Sequence, residues 1–166
     1  MDKKPVLRPM TDGDWQAVAR IYAEGIGTGI ATFETQVPDY GAWDKAHLQA
    51  GRLVAEADGN ILGWTALSPV SSRCVYGGVA EVSVYVSQEA RGKGIGKLLM
   101  EKLISESEKA GYWTIQSGIF PQNQASISLH EKVGFRKIGY RERIGKMDDI
   151  WYDNVLMERR SKTVGN

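Results

Sequence analysis

The sequence predicts one α/β domain built on a mixed sheet, and three observations carry that prediction. At 166 residues the chain has the length of a single domain. Its 42% hydrophobic and 25% charged residues suit a soluble protein whose core needs neither disulfide nor metal. Strand-like and helix-like segments also follow one another in mixed order, with hairpin signals at both ends. That order excludes a purely parallel, doubly wound sheet. The domain is expected to occupy residues 1–160, with 161–166 as a polar tail.

Each element has its own local reason. Val6-Leu7-Arg8 reads as a short strand, and Thr11 with Asp14 forms a capping-box-like helix start. Trp15, Val18, Ala19 and Tyr22 then recur at helical spacing, and Gly25, Gly27 and Gly29 are expected to end that helix. A second helix is expected over Tyr40 to Ala50. Strands Leu53–Ala57 and Ile61–Leu67 flank Asp58-Gly59-Asn60, which is hairpin turn chemistry. In Val79–Val86, Val82, Val84 and Val86 share one face, while Glu81, Ser83 and Tyr85 share the other. Ile95, Leu98, Leu99 and Leu103 make the apolar stripe of a third helix, with Gly111 beyond its end. A strand Trp113–Ile119, a helix from Gln124 to Val133, and strands near Phe135–Arg143 and Ile150–Met157 complete the order.

Charge and cysteine content narrow the function. Lys+Arg 21 against Asp+Glu 20 leaves +1, too little field to hold nucleic acid or an anionic membrane. No apolar run approaches the ~20 residues of a membrane span, and Met1 to Pro5 lacks the apolar stretch of a signal peptide. Cys74 is the only cysteine, so a cytoplasmic, reducing location is expected. With two histidines besides, no zinc cluster is expected.

The sharpest local signal is Arg91-Gly92-Lys93-Gly94-Ile95-Gly96-Lys97, running into the third helix. Glycines allow close backbone approach to an anion, and a helix N-terminus behind them supplies unpaired N–H groups. A phosphate site is one reading; a solvated basic turn is the other. A Walker loop fails because Arg91 stands where it needs glycine and Leu98 where it needs Ser or Thr. A dinucleotide fingerprint fails at Lys97 or Leu99, according to its start.

This loop, after the strand Val82–Val86, resembles the acetyl-CoA pyrophosphate loop of GCN5-related N-acetyltransferases. Asn123 and the run Ser126 to Phe135 resemble the later helix of that family and the Gly-Phe that follows it. Thr32-Phe33-Glu34-Thr35, Arg73, Tyr76, Ala80 to Val86 and Leu129-His130-Glu131 are similar to the phosphinothricin and methionine sulfoximine branch. The resemblance implies a twisted mixed sheet flanked by helices and splayed to admit CoA. It implies that Val84, Tyr85 and Val86 hold the pantetheine arm. By the same carry-over, Arg91, Gly92, Lys93, Gly94, Ile95, Gly96 and Lys97 hold the pyrophosphate, with Asn123 and Ser126 also on the cofactor. A homodimer is implied as well.

Candidate chemistry follows from the residues first. Acetylating an ammonium requires its deprotonation, and Glu81, on the polar face of an apolar strand, is the expected base. The other reading is a carboxylate at a sheet end making a structural salt bridge; the resemblance places the branch's catalytic glutamate here. His130 reads alone as a packing residue, and the resemblance places it near the thioester carbonyl, polarising it or relaying a proton. Arg73 offers a fork for an acceptor carboxylate or phosphinate, unless it is a solvated loop residue. Tyr76, Phe33 and Glu34 are carried over as pocket residues. Cys74 has no activating neighbour by spacing, which disfavours an acyl-cysteine route. His47 reads as surface, and Trp151 as an aromatic near the C-terminal strands. The expected activity is direct acetyl transfer from acetyl-CoA to a small amino acid, without metal. The alternatives are another small amine or a protein N-terminus as acceptor, or a non-catalytic acyl-CoA sensor.

Overall fold

A computed structural model describes residues 3–166, so the first two residues of the leading segment lie outside the described chain. The strands are β1 (Val6–Pro9), β2 (Leu53–Ala57), β3 (Asn60–Pro69), β4 (Val79–Val86), β5 (Thr114–Ile119), β6 (Arg136–Met147) and β7 (Ile150–Arg160). The helices are α1 (Trp15–Gly27), α2 (Tyr40–Ala46), α3 (Ile95–Lys109) and α4 (Gln124–Lys132). One seven-stranded sheet runs in the order β1-β2-β3-β4-β5-β7-β6. Among the described residues its single parallel pair is β4 with β5; the other neighbours are antiparallel. This is the mixed, helix-flanked sheet that the sequence predicts.

The sheet is covered on both faces because its central strands are apolar on both. On one face Leu99, Met100 and Leu103 of α3 and Ile127 of α4 pack on Leu67, Ala80, Val82, Ile115 and Met157. On the other, Val18, Ile21 and Tyr22 of α1 and Trp43 of α2 pack on Val54, Trp64 and Ala66. Trp64, Tyr22 and Tyr85 form a triangle of aromatic rings, Trp64 lying 5.6 Å from Tyr22 and 4.9 Å from Tyr85 and the two tyrosines 4.9 Å apart, with Trp43 edge-on to Trp64 at 5.8 Å. Each such pair adds ~0.5–1.5 kcal/mol beyond area burial, and together they fix β4 against α1.

Helix α1 runs past Gly25 and ends at Gly27, as the glycine cluster predicts, with Gly29 at a positive φ beyond it. Gly25 serves packing, since a β-carbon on it would sit 2.6 Å from the Tyr85 ring. Several local expectations are corrected. Helix α2 stops at Ala46 because His47 is extended, and His47 is half-buried rather than on the surface. Its ring stacks on Trp43 at 4.3 Å and its Nδ1 lies 2.7 Å from the Trp43 carbonyl. The closing strands are longer than expected, joined by Asp148 and Asp149 with φ of 50° and 63°, a tight hairpin turn made without glycine. The polar 161–166 segment folds back onto the domain. Buried Ser161 donates its N–H to the Trp113 carbonyl at 2.7 Å, and Arg160 reaches the carbonyls of Val164 and Gly165.

Candidate active site

Strands β4 and β5 pair through Val79 with Thr114, Ala80 with Ile115 and Glu81 with Gln116, and then diverge. Beyond the fork β4 runs on to Val86, still paired to β3 on its other side down to Gly63. One edge of Val82–Val86 therefore keeps N–H and C=O groups that no strand uses. A cleft of about 1130 Å³ fills the fork, bounded by β4, β5, the loop before α3, α4 and the segment after α1.

At the far end of β4 the backbone turns through Gly92 and Gly94, with φ of 75° and 80°. No atom lies within 4 Å of where a β-carbon on either would stand. This open cradle suits only glycine. The first amide of α3 to bond back into the helix is that of Leu98, to Gly94 at 3.2 Å. The amides of Ile95, Gly96 and Lys97 are thus left for a ligand at the positive end of a 15-residue helix. Gly96 differs from its neighbours: a β-carbon there would meet Leu129 of α4 at 3.0 Å, so it serves helix packing. Arg91, Ile95 and Lys97 line the cleft with the glycines, as do Val84, Tyr85 and Val86; Lys93 does not. Asn123 and Ser126 line it too. Asn123 caps α4 through Ser126 N–H at 3.2 Å and donates to the Ile30 carbonyl at 3.4 Å, tying α4 to the segment after α1.

Glu81 stands at the fork, its carboxylate open to solvent through the cleft. Apolar walls nevertheless hold its pKa above the usual carboxylate value, while the Arg141 charge and the Gln116 amide pull the other way. His130 is 1% exposed and lines the same cleft. Its Nδ1 lies 2.7 Å from the Ser126 carbonyl, which can only accept, so the hydrogen resides on Nδ1. Nε2 is buried without a hydrogen-bond partner, and burial lowers the pKa of the ring.

The expected acceptor residues divide. Phe33 lines the cleft, edge-on to Phe120 at 4.6 Å and lying over Gly145. Glu34 lies off the wall, where its charge helps to raise the pKa of Tyr22 and Tyr85. Tyr76 and Arg73 also lie off it, Tyr76 in the exposed turn Cys74–Tyr76 between β3 and β4 and Arg73 just before it. There the Arg73 guanidinium sits 5.7 Å from the Tyr76 ring centroid. Cys74 is exposed, and Trp151 stands 54% exposed on β7. Sequence reasoning missed Gln116, Arg141 and Asn154 on the cleft wall. For Gln116 a signal existed: Thr114, Gln116 and Gly118 alternate with Ile115 and Ile119 on a strand already predicted.

Comparison with known proteins agrees with this geometry. The profile of the Acetyltransferase (GNAT) family matches residues 15–135. A phosphinothricin N-acetyltransferase from Alcaligenes faecalis is 35% identical over 92% of this chain and 81% of its own. The L-amino acid N-acyltransferase MnaT from Escherichia coli strain K12 is 32% identical over 92% of this chain and 91% of its own. A GNAT superfamily phosphinothricin acetyltransferase from Sinorhizobium meliloti, solved in complex with AcCoA, superposes with a TM-score of 0.86. It is 29% identical over 95% of this chain and 89% of that one. A parallel pair that forks at a glutamate, a glycine cradle at a helix N-terminus and these relatives agree: the chain belongs to the GNAT family of acetyltransferases.

Proposed function

We propose that the cleft moves an acetyl group from acetyl-CoA to the α-amino group of a small free amino acid or analogue, of the phosphinothricin, methionine sulfoximine or methionine sulfone type. The observation that carries the reading is the position of Glu81 at the fork, with the amide cradle at the other end of the same strand edge. Val86 lies five residues after Glu81, ~17 Å at ~3.3 Å per step, room for an extended arm between a pyrophosphate and a reacting centre. Relatives named for these acceptors support the substrate class.

The residues present fit the donor. The cradle amides and Arg91 receive the pyrophosphate, and the unused edge of Val84–Val86 receives the amides of the arm. Bound there, acetyl-CoA supplies the thioester. Glu81 takes a proton from the acceptor ammonium, directly or through a water. The freed amine forms the N–C bond as the C–S bond breaks, the second proton lost by the nitrogen passes to the sulfur, and CoA leaves as the thiol. His130, with its hydrogen held on Nδ1 by Ser126, presents a lone pair at Nε2. A neutral ring so held accepts a proton and offers no N–H to a carbonyl oxygen, which favours the relay over the polarising role.

The test is a panel of free amino acids and analogues with acetyl-CoA, following released thiol and product mass. Stoichiometric thiol and an N-acetyl product with methionine sulfone or phosphinothricin support the reading. A better rate with a peptide N-terminus overturns the substrate class and leaves acetyl transfer standing.

A further inference from the structure

The cleft holds a cation that the donor has no use for. Four basic side chains line it: Arg91, Lys97, Lys132 and Arg141. Arg91 and Lys97 belong to the cradle, and Lys132 lies one helical turn past the Leu129 that packs on Gly96. Arg141 is elsewhere. Pairing across the sheet runs Glu81 to Gln116, Gln116 to Glu158, Gly118 to Leu156, Leu156 to Gly139 and Asn154 to Arg141. Paired residues share a face, and so do residues two apart on a strand, so Arg141 lies on the Glu81 side of the sheet. It is close enough for its charge to act on Glu81, yet among the described residues it makes no ion pair and no side-chain hydrogen bond.

The backbone is shaped at this point. The β6–β7 register breaks between Arg141 and Gly145, and Arg143 takes a φ of 45°. Asp153 holds the break, accepting the Arg143 N–H at 2.7 Å and the Tyr140 hydroxyl. Such bulges beside active sites re-aim side chains. Among the described residues Glu81 is the only carboxylate on the cleft wall, and it must stay available to the amine.

We propose that Arg141 is the anion contact for the acceptor, receiving the carboxylate next to the attacked amine. This inference rests on the acetyltransferase reading above and deepens it: the substrate class becomes an amine with an adjacent carboxylate. A free amino acid places its ammonium toward Glu81 and its carboxylate on the guanidinium fork, so each charge meets its opposite. An amine without that carboxylate leaves Arg141 unmatched beside its own positive charge.

The experiment compares methionine sulfone with its carboxamide, in the wild type and in Arg141→Gln and Arg141→Lys. Two readouts are taken: kcat/KM for acetyl transfer, and calorimetric binding of each compound with CoA present. The ratio of acid to amide is the quantity of interest. A shift of the Glu81 pKa on losing Arg141 acts on both acceptors and cancels in it. The wild type should favour the acid by about 10–100-fold, Arg141→Gln should bring the ratio near one, and Arg141→Lys should fall between. The KM for acetyl-CoA should stay unchanged. A ratio near one in the wild type, or an equal loss for both compounds in the variant, overturns the assignment. If binding discriminates as expected but no acetyl is transferred, the anion contact stands and the acetyltransferase reading falls.

Discussion

Glu81 and Gln116 form the last rung at which β4 and β5 pair, so the carboxylate at the fork faces an amide across the sheet. The placement has two consequences. The strands diverge from the next residue onward, which opens the cleft, and the carboxylate sits among walls dry enough to raise its pKa. The Gln116 amide and the Arg141 charge limit that rise.

Replacing Gln116 with leucine should therefore move the acidic limb of the pH–rate profile upward. The size of that movement measures how far the Gln116 amide favours the charged carboxylate. The limb for kcat/KM reports the free enzyme, so that is the profile to measure. An unmoved limb would show that Gln116 does not steady the Glu81 charge.

The cradle makes a second prediction. Valine at Gly94 must adopt a φ of 80°, at a cost of about 1–3 kcal/mol, and places methyl groups where a phosphate would lie. Acetyl-CoA at 100 times its Kd stabilises the wild type by ~2.7 kcal/mol, and Gly94→Val should lose most of the corresponding rise in Tm. Gly59→Val is the control, with a φ of 78°, open space around it and a position in the β2–β3 turn. It should carry similar strain and keep the ligand-induced rise. A full rise in Gly94→Val would remove the cradle from the donor site.

His130 links the site to stability. Burial lowers its pKa below the ordinary 6.5, so as pH falls the unfolded chain takes up the proton first. Stability then rises with pH between the lowered value and 6.5, and is lost on acidification through that window. His47, also lowered by burial, contributes with the same sign. Urea midpoints from pH 8 to about 5 should fall, and His130→Asn should show a shallower fall. An identical slope in the variant would contradict the burial of a neutral ring.

Much of this was legible in the sequence where local chemistry and tertiary need agree. Val79–Val86 alternates because one of its faces meets α3 and the other carries Tyr85 against α1 and Glu81 at the cleft. Asp58-Gly59 supplies the positive φ that a two-residue hairpin requires. Other features were hidden because their cause is distant in the chain. Gly25 reads as part of a helix stop and is also the seat of the Tyr85 ring, sixty residues later. Arg141 reads as one more surface cation on a strand without clear alternation, and only the pairing through β7 and β5 puts it on the face of Glu81. Arg73 and Tyr76 are adjacent both in sequence and in space, at the exposed turn after β3 and off the cleft wall.

Assembly is a further expectation. Strand β6 ends the sheet, twelve residues long, with Ile138, Tyr140 and Ile144 exposed, and Ile150 and Trp151 follow on β7. A long edge with apolar side chains is a ready interface, and a two-fold homodimer would cover it. Sedimentation should give twice the 18.4 kDa chain mass, and Ile144→Lys with Tyr140→Glu should halve it. A mass of 18.4 kDa for the unaltered protein at micromolar concentration would contradict the dimer.

The most direct test of the account is the rate of acetyl transfer in Glu81→Gln, with acetyl-CoA affinity measured on the same preparation. The glutamine keeps the shape of the fork and loses the basic oxygen, so it isolates proton removal from binding. The account predicts a kcat lower by roughly 10²–10⁴-fold with acetyl-CoA affinity unchanged. An unaltered kcat would contradict it, and would move the base away from the fork.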